Sequence, residues 1–592
     1  ASGLQYGGDA VGGLVILEPI QVRKDTLFGR TMFNLASNGR GGSVTTSLHK
    51  GNDLGWSWNV LGTFKYMGDR EAPDYVLSNT GNRESNFTGD IKYTGKHYFL
   101  SGFYSYYNAT IGILSAAHVG STNDLYDAIK NKRPSVIKDF TYTIDNPKQE
   151  VQHHLAKLNY QYYFDETASL SSQYSFQFNK RLEFDIRRGV FNNRAALDLE
   201  LSTHNLNVDF KKTYHDWHLK SGVNAGFQNN FASPATGIRP LIPNYEKLDA
   251  GVYGIASVSL SDGLVLDGGL RYDFSKVDAK KFYFKSRWTE RGYDVLFPQF
   301  EVREVGDQIL AHPTFTFHNL SASLGFRKTF DKQWDWYTNI SLATRNPNPS
   351  EFFSDGLHHS SGMIELGDLA LKKEQSIKLS STVQKTWNNF SLEVNPYINA
   401  VQNYMFLRPI RPETTNRGTF LVWEYQQTNA LLGGVDVQTN WTINSQWQHR
   451  FTMAYIKGDD LDNDEPLIDM PPFHFTNTIE FKKKEWHELL LELKSEVVTQ
   501  QQSYPNNNFE ITVIENGNLV PRELDISTPP AGYHLLHFYS EMKFNTFYKT
   551  TTTLGFSVQN IFNTNYRDYL NRQRFFADEV GRNFQIQIKF NY

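Results

Sequence analysis

The segment 345–374, RNPNPSEFFSDGLHHSSGMIELGDLALKKE, gathers the side chains best suited to holding a ligand. His358 and His359 stand beside Asp355, with Glu351 and Glu365 nearby. Imidazole suits zinc, copper or haem iron, and carboxylates can complete such a site. On an extended segment two consecutive histidines point to opposite sides, so one can face a lumen while the other faces water. The competing reading is a solvated loop pair with no ligand. A second pair, His153 and His154, follows the long connection 108–151 and lacks a cysteine or spaced partner, which makes it the weaker metal signal. The acidic run Asp459, Asp460, Asp462, Asp464 and Glu465 has the charge to attract a cation. It lacks the glycine and terminal glutamate of a calcium hand, and reads better as a solvated loop tip.

Catalytic chemistry has no comparable support, and no enzyme is expected. The sequence contains no GxSxG, no HExxH and no phosphate-cradling loop, and its 63 acidic residues nominate no glycosidase pair. Cysteine is absent, which removes disulfides, thiolate metal sites and cysteine nucleophiles. A net charge of −4 gives no basic footprint for nucleic acid.

Loops carrying such ligands need a rigid frame, and the last ten residues, NFQIQIKFNY, show what kind. Phe584, Ile586, Ile588, Phe590 and Tyr592 share one face of an extended strand, and Gln585, Gln587, Lys589 and Asn591 share the other. In a sandwich the apolar face meets a second sheet; in a membrane barrel it meets lipid and the polar face looks into a lumen. An aromatic final residue favours a closing barrel strand over a frayed soluble tail. No apolar run reaches the ~18 residues of a membrane helix. Barrel strands bury only alternate residues in lipid, so 39% hydrophobic content is compatible with a barrel, and 15% aromatic content suits interfacial girdles.

About twenty-two alternating segments follow from Phe28, at 28–37, 42–49, 55–67, 85–93, 97–107, 152–163, 168–184, 199–211, 216–227, 249–260, 264–275, 315–328, 333–345, 374–386, 389–402, 422–442, 447–457, 473–482, 487–498, 532–543, 548–560 and 583–592. Short turns near 94–96, 261–263, 330–332 and 483–485 alternate with long connections at 108–151, 276–314, 346–373, 403–421, 499–531 and 561–582. That alternation predicts an all-β, antiparallel transmembrane barrel with short periplasmic turns and long extracellular loops. Trp334 and Trp336, beside a short turn, fit an aromatic belt at the periplasmic interface.

Residues at both ends carry a family resemblance. Tyr6, Gly7, Asp9, Ala10, Gly12 and Gly13, leading into Leu14 to Leu17, resemble the end of the plug domain of TonB-dependent outer-membrane transporters. Asn560 to Asn563, Tyr566, Arg567, Tyr569, Arg574 to Asp578 and Gly581 to Phe584 resemble their C-terminal ending. The resemblance implies residues 1–20 as the remnant of a plug and 21–592 as the barrel. The bulk of the plug and the TonB-contacting segment would then lie upstream of Ala1, where the sequence is read as a processed or partial chain. Haem and metal receptors of this class often carry a ligand histidine between an Arg-Ala-Pro-like and an Asn-Pro-Asn-Leu-like box. Arg345-Asn346-Pro347 and Gly367-Asp368-Leu369 occupy those places and depart from both patterns.

The resemblance therefore implies active uptake across the bacterial outer membrane of a scarce iron or metal complex such as haem, a siderophore or zinc. His358, His359, Asp355, Arg345 and Glu365 form the expected ligand set, with His358 and His359 as metal ligands. No cofactor is expected beyond haem, zinc or a ferric complex bound as the transported ligand. Expected partners are outer-membrane lipid, the TonB complex and that ligand, with a separate surface or plug subunit as a further option and no nucleic acid. Two alternatives stand beside this reading: a barrel acting as scaffold or docking subunit with its plug supplied by another chain, and a soluble β-rich carbohydrate-binding protein.

Overall fold

The computed structural model describes residues 2–8, 13, 15–16, 22, 25–186, 193–331, 333–547 and 549–592. Twenty-two antiparallel strands close into a barrel. Thr26–Ala36 and Asn583–Asn591 form the seam, in register from Arg30 opposite Asn591 to Ala36 opposite Gln585. Next to the first of these pairs, Gly29 and Tyr592 exchange both backbone hydrogen bonds. The first expected segment, 28–37, and the closing strand, 583–592, are therefore joined.

Period-two alternation accounts for the wall. Phe584 and Ile586 are exposed on its outside beside Phe33 and Leu35, whereas Gln587 donates to Asn34 and Lys589 pairs with Glu541 at 3.1 Å inside. Leu270 and Leu324, each 61% exposed, show the same inversion of ordinary burial in the middle of the wall. Such a surface is stable only against hydrocarbon. No helix among the described residues is long and apolar enough to cross a membrane. Trp334 and Trp336 stand exposed on the outer wall beside the short turn after Phe330.

Every one of the twenty-two expected segments overlaps a barrel strand, but several connections are more ordered than expected. The connection expected at 403–421 is strand: Phe390–Thr415 and Gly418–Thr442 form one hairpin that rises beyond the wall, paired from Phe390 opposite Trp441 to Thr415 opposite Gly418. Pro409 and Pro412 disguise it in sequence, since proline cannot donate to a ladder. The register shift at Pro409/Arg411 leaves Ile410 as a bulge between them. Likewise, Leu264–Phe284 runs through the start of the expected 276–314 connection.

Buried apolar clusters lie among the connections of the long-loop rim. One packs Trp288, Tyr293, Phe352, Phe353 and Leu369 around residues of the protruding strand ends. At the chain start, the 3-10 turn Ser2–Tyr6 lies against the inner wall, where Arg271 donates to the Leu4 carbonyl. Of the six plug-end positions, Tyr6, Gly7 and Gly13 are described; Asp9, Ala10 and Gly12 lie outside the described residues.

Candidate metal centre at the long-loop rim

Local sequence anchors the loop 346–373 before it positions anything. Asn348 caps the helix Pro349–Phe353 in a reciprocal capping box with Glu351. Glu351 also takes two hydrogen bonds from Arg345, which reaches Glu374 at 3.3 Å. Phe352 and Phe353 are 1% and 0% exposed, and the Phe352 ring stacks on Phe315 with centroids 4.4 Å apart. Beyond the helix, Asp355–His358 and Met363–Leu366 form a small hairpin whose second strand adds in parallel to the tall hairpin, with Glu365 opposite Trp423.

This framework separates the two histidines. His358 is fully engaged: Nδ1 lies 2.6 Å from Glu365, and Nε2 accepts from Arg181 at 2.8 Å. That network assigns the proton to Nδ1. Arg181 also pairs with Glu183, which sits 3.8 Å from His358 Nε2.

His359 turns the other way, into a buried cluster built from distant parts of the chain. His118 comes from the connection after Tyr98–Gly112, and Asp185 directly follows Ala168–Phe184. Among the described residues, His118, Asp185 and His359 form one group with metal-ligand potential, their ligand atoms all within 4.8 Å of one another. Asp185 lies 3.4 Å from His359 Nδ1 and 3.8 Å from His118 Nε2. The three side chains are 1–3% exposed.

The electrostatics favour a cation. Both nitrogens of His118, Nδ1 of His359 and Oδ2 of Asp185 are buried without a hydrogen-bond partner. Each such orphan costs about 1–3 kcal/mol. Burial pushes the His118 imidazole down to about 4 against the pull of Asp185, so the ring is neutral near pH 7. Burial alone would raise the Asp185 carboxyl, but His359, His118 and Arg417 outweigh it and hold the group below its usual range. Arg417, at the tip of the tall hairpin, lies 3.5 Å from Asp185 Oδ2 and 3.4 Å from His359 Nε2. The hairpin tip is docked here by the Val119–Thr419 bridge, in which Thr419 N–H donates to the Val119 carbonyl at 3.0 Å.

The remaining expected ligands are placed elsewhere. Asp355 faces Arg239 at 3.2 Å and Lys281 at 3.8 Å. Arg345 belongs to the loop anchor, while Glu365 stays with His358. His153 and His154 lie well inside the strand Lys148–Tyr163, where His153 meets Gln177 and His154 meets the Tyr104 hydroxyl. The acidic run is a solvated tip in part, since Asp462 and Asp464 are exposed in the turn 461–464. Asp460 is buried among bonds from Thr428, Asn463 and the Asp462 amide, and Glu465 pairs with Arg408. Sequence reasoning missed His118, Asp185, Glu183, Arg181 and Arg417. Arg181, Glu183 and Asp185 alternate along one strand end, but no spacing links them to His118 or Arg417, which come from two other connections. Apart from this cluster, a cleft of about 530 Å³ opens between other loops, lined by Tyr126, Lys130, Tyr533, Tyr566, Arg567 and Arg574 among others.

Comparison with known proteins follows the same architecture. The family model described as "TonB dependent receptor-like, beta-barrel" matches residues 76–561. Among solved structures, the chain is similar to the copper transporter OprC, with a TM-score of 0.75 and 13% identity over 97% of this chain and 82% of that one. It is similar to the FrpB iron transporter of Neisseria meningitidis (F3-3 variant), with a TM-score of 0.67 and 15% identity over 96% and 81%. The siderophore receptor PiuA of Acinetobacter baumannii gives a TM-score of 0.66 and 11% identity over 97% and 82%. None of the curated proteins compared with the chain matches it.

Proposed function

The chain belongs to the TonB-dependent receptor-like β-barrel family of the bacterial outer membrane, and from that premise we propose that it actively imports a scarce iron or metal complex, with haem, a ferric siderophore or zinc as the candidate cargoes. The family comprises receptors and transporters rather than enzymes. In that membrane the short turns face the periplasm and the long loops face outward, so the soluble carbohydrate-binding alternative falls. Energy coupling through TonB, by way of a plug region upstream of Ala1, is part of the proposal.

One observation carries the reading: His118, Asp185 and His359 converge from three outward connections with both His118 nitrogens, His359 Nδ1 and Asp185 Oδ2 buried and without hydrogen-bond partners. A rigid barrel brings loops together where a ligand arrives from outside. The copper, iron and siderophore functions of the similar structures agree with this cargo class without selecting among its members.

Cells lacking the protein, and the same cells complemented with the full-length protein, would be supplied with iron, zinc and copper as free salts, and with haem and ferric siderophores. The proposal expects accumulation of at least one of these to depend on both the protein and TonB. Equal accumulation with and without the protein for every form would refute import and favour the docking-subunit reading.

A further inference from the structure

We infer that the ligand taken by His118, Asp185 and His359 is a bare first-row divalent cation, bound directly to the three side chains beside the Arg417 guanidinium. This deepens the import reading and rests on it, because it makes the ion itself, and not a haem or siderophore chelate, the captured cargo.

Size decides against a chelate. With side chains 1–3% exposed and ligand atoms within 4.8 Å of one another, the centre has room for an ion and none for a macrocycle between its donors. The spacing is close to what an ion requires. Metal–nitrogen and metal–oxygen bonds of about 2.0–2.2 Å set tetrahedral donors about 3.3–3.5 Å apart. Asp185 and His359 already stand 3.4 Å apart, and Asp185 and His118 3.8 Å. Closing the widest pair takes at most about 1.5 Å from the observed 4.8 Å. Two imidazoles and one carboxylate form a three-ligand set typical of open zinc sites, which leaves a fourth position for water.

Charge points the same way. Nη1 of Arg417 lies 3.5 Å from Asp185 Oδ2 and 3.4 Å from His359 Nε2, across the ring from Nδ1, so the centre already holds a positive charge at its edge. That side chain is 23% exposed, far more than the donors it covers, and can swing outward. His118 has no substitute partner; both of its ring nitrogens are unsatisfied in a nearly sealed position. His358 cannot replace His359, because Glu365 and Arg181 occupy both of its nitrogens.

The test uses purified full-length protein in detergent and Co²⁺, whose visible absorption reports coordination number. The expected result is one Co²⁺ per chain with the intense bands of a four-coordinate site. Affinity should fall at least a hundredfold in His118→Ala, His359→Ala and the isosteric Asp185→Asn, and rise about tenfold in Arg417→Gln, which removes the competing cation. Haemin should not compete. Heat-modifiable migration on gels verifies that each barrel is folded, and the gain in Arg417→Gln cannot come from misfolding. No Co²⁺ binding, or equal binding in all variants, overturns the inference; protein-dependent accumulation of haem or a siderophore would then leave the import reading intact. Co²⁺ binding without protein-dependent accumulation of any metal overturns the import reading and the ion's role as cargo.

Discussion

Replacing Phe352 with alanine tests whether the loop 346–373 is held by its aromatic anchor. The ring is 1% exposed, stacks on Phe315 at 4.4 Å with planes 1° apart, and packs near Phe317 and Phe353. Truncating a fully buried phenylalanine costs about 3–5 kcal/mol, the upper part where the site cannot collapse. Collapse is hindered here, because Asn348, Glu351 and Arg345 fix the helix from one side and Arg291 holds the Gly367 carbonyl from the other. At about 1.4 kcal/mol per decade, the opening equilibrium of the loop should rise about 10² to 10³·⁵-fold. Hydrogen exchange on peptides covering 349–369 should report that loss of protection, while peptides from the wall, such as 320–328, stay unchanged. A change below tenfold would refute the anchoring argument. So would equal deprotection of the wall, which would show that the loop core and barrel open as one unit.

Gly418→Ala should undock the tall hairpin from the His118 connection: the residue has φ +132°, and an added Cβ would meet the Val119 carbonyl oxygen. Protease cleavage near 415–419 should rise, and unchanged cleavage would count against the docking. Leu324→Arg places a charge on the lipid face and should cost about 2–4 kcal/mol in urea titrations of the barrel in vesicles, whereas arginine at the lumen-facing neighbour Ser323 should cost less. Lys281, on the protruding end of its strand, donates to the Phe353 carbonyl, and burial brings its pKa down to about 7 although Asp355 opposes the shift. In the opened loop it regains the ordinary value near 10.5 and binds more protons across that window. Loop protection should therefore rise from pH 7 towards pH 10 and be least below pH 7. Lys281→Met should flatten the profile, and a flat wild-type profile would refute the shift.

The wall was legible in sequence because its determinants are local. Phe584, Ile586, Gln585 and Gln587 alternate whatever the rest of the chain does, and lipid outside with a wet lumen inside turns that alternation into a register and a seam. Turn lengths completed the topology. Where a segment's environment was not two-faced, the signal failed, as in the tall hairpin at 403–421, whose prolines read as a loop until pairing absorbed them.

The candidate centre divided along the same line. The sequence placed His358 and His359 in a loop and, from backbone alternation alone, sent them opposite ways. It had no means of telling which was free. Tertiary structure decided that by spending Glu365 and Arg181 on His358 and leaving His359 to His118 and Asp185. Residues 118, 185 and 359 share no local period or spacing; they meet because a closed cylinder fixes where each connection leaves the wall, and burial then makes their unpaired donors costly to leave bare.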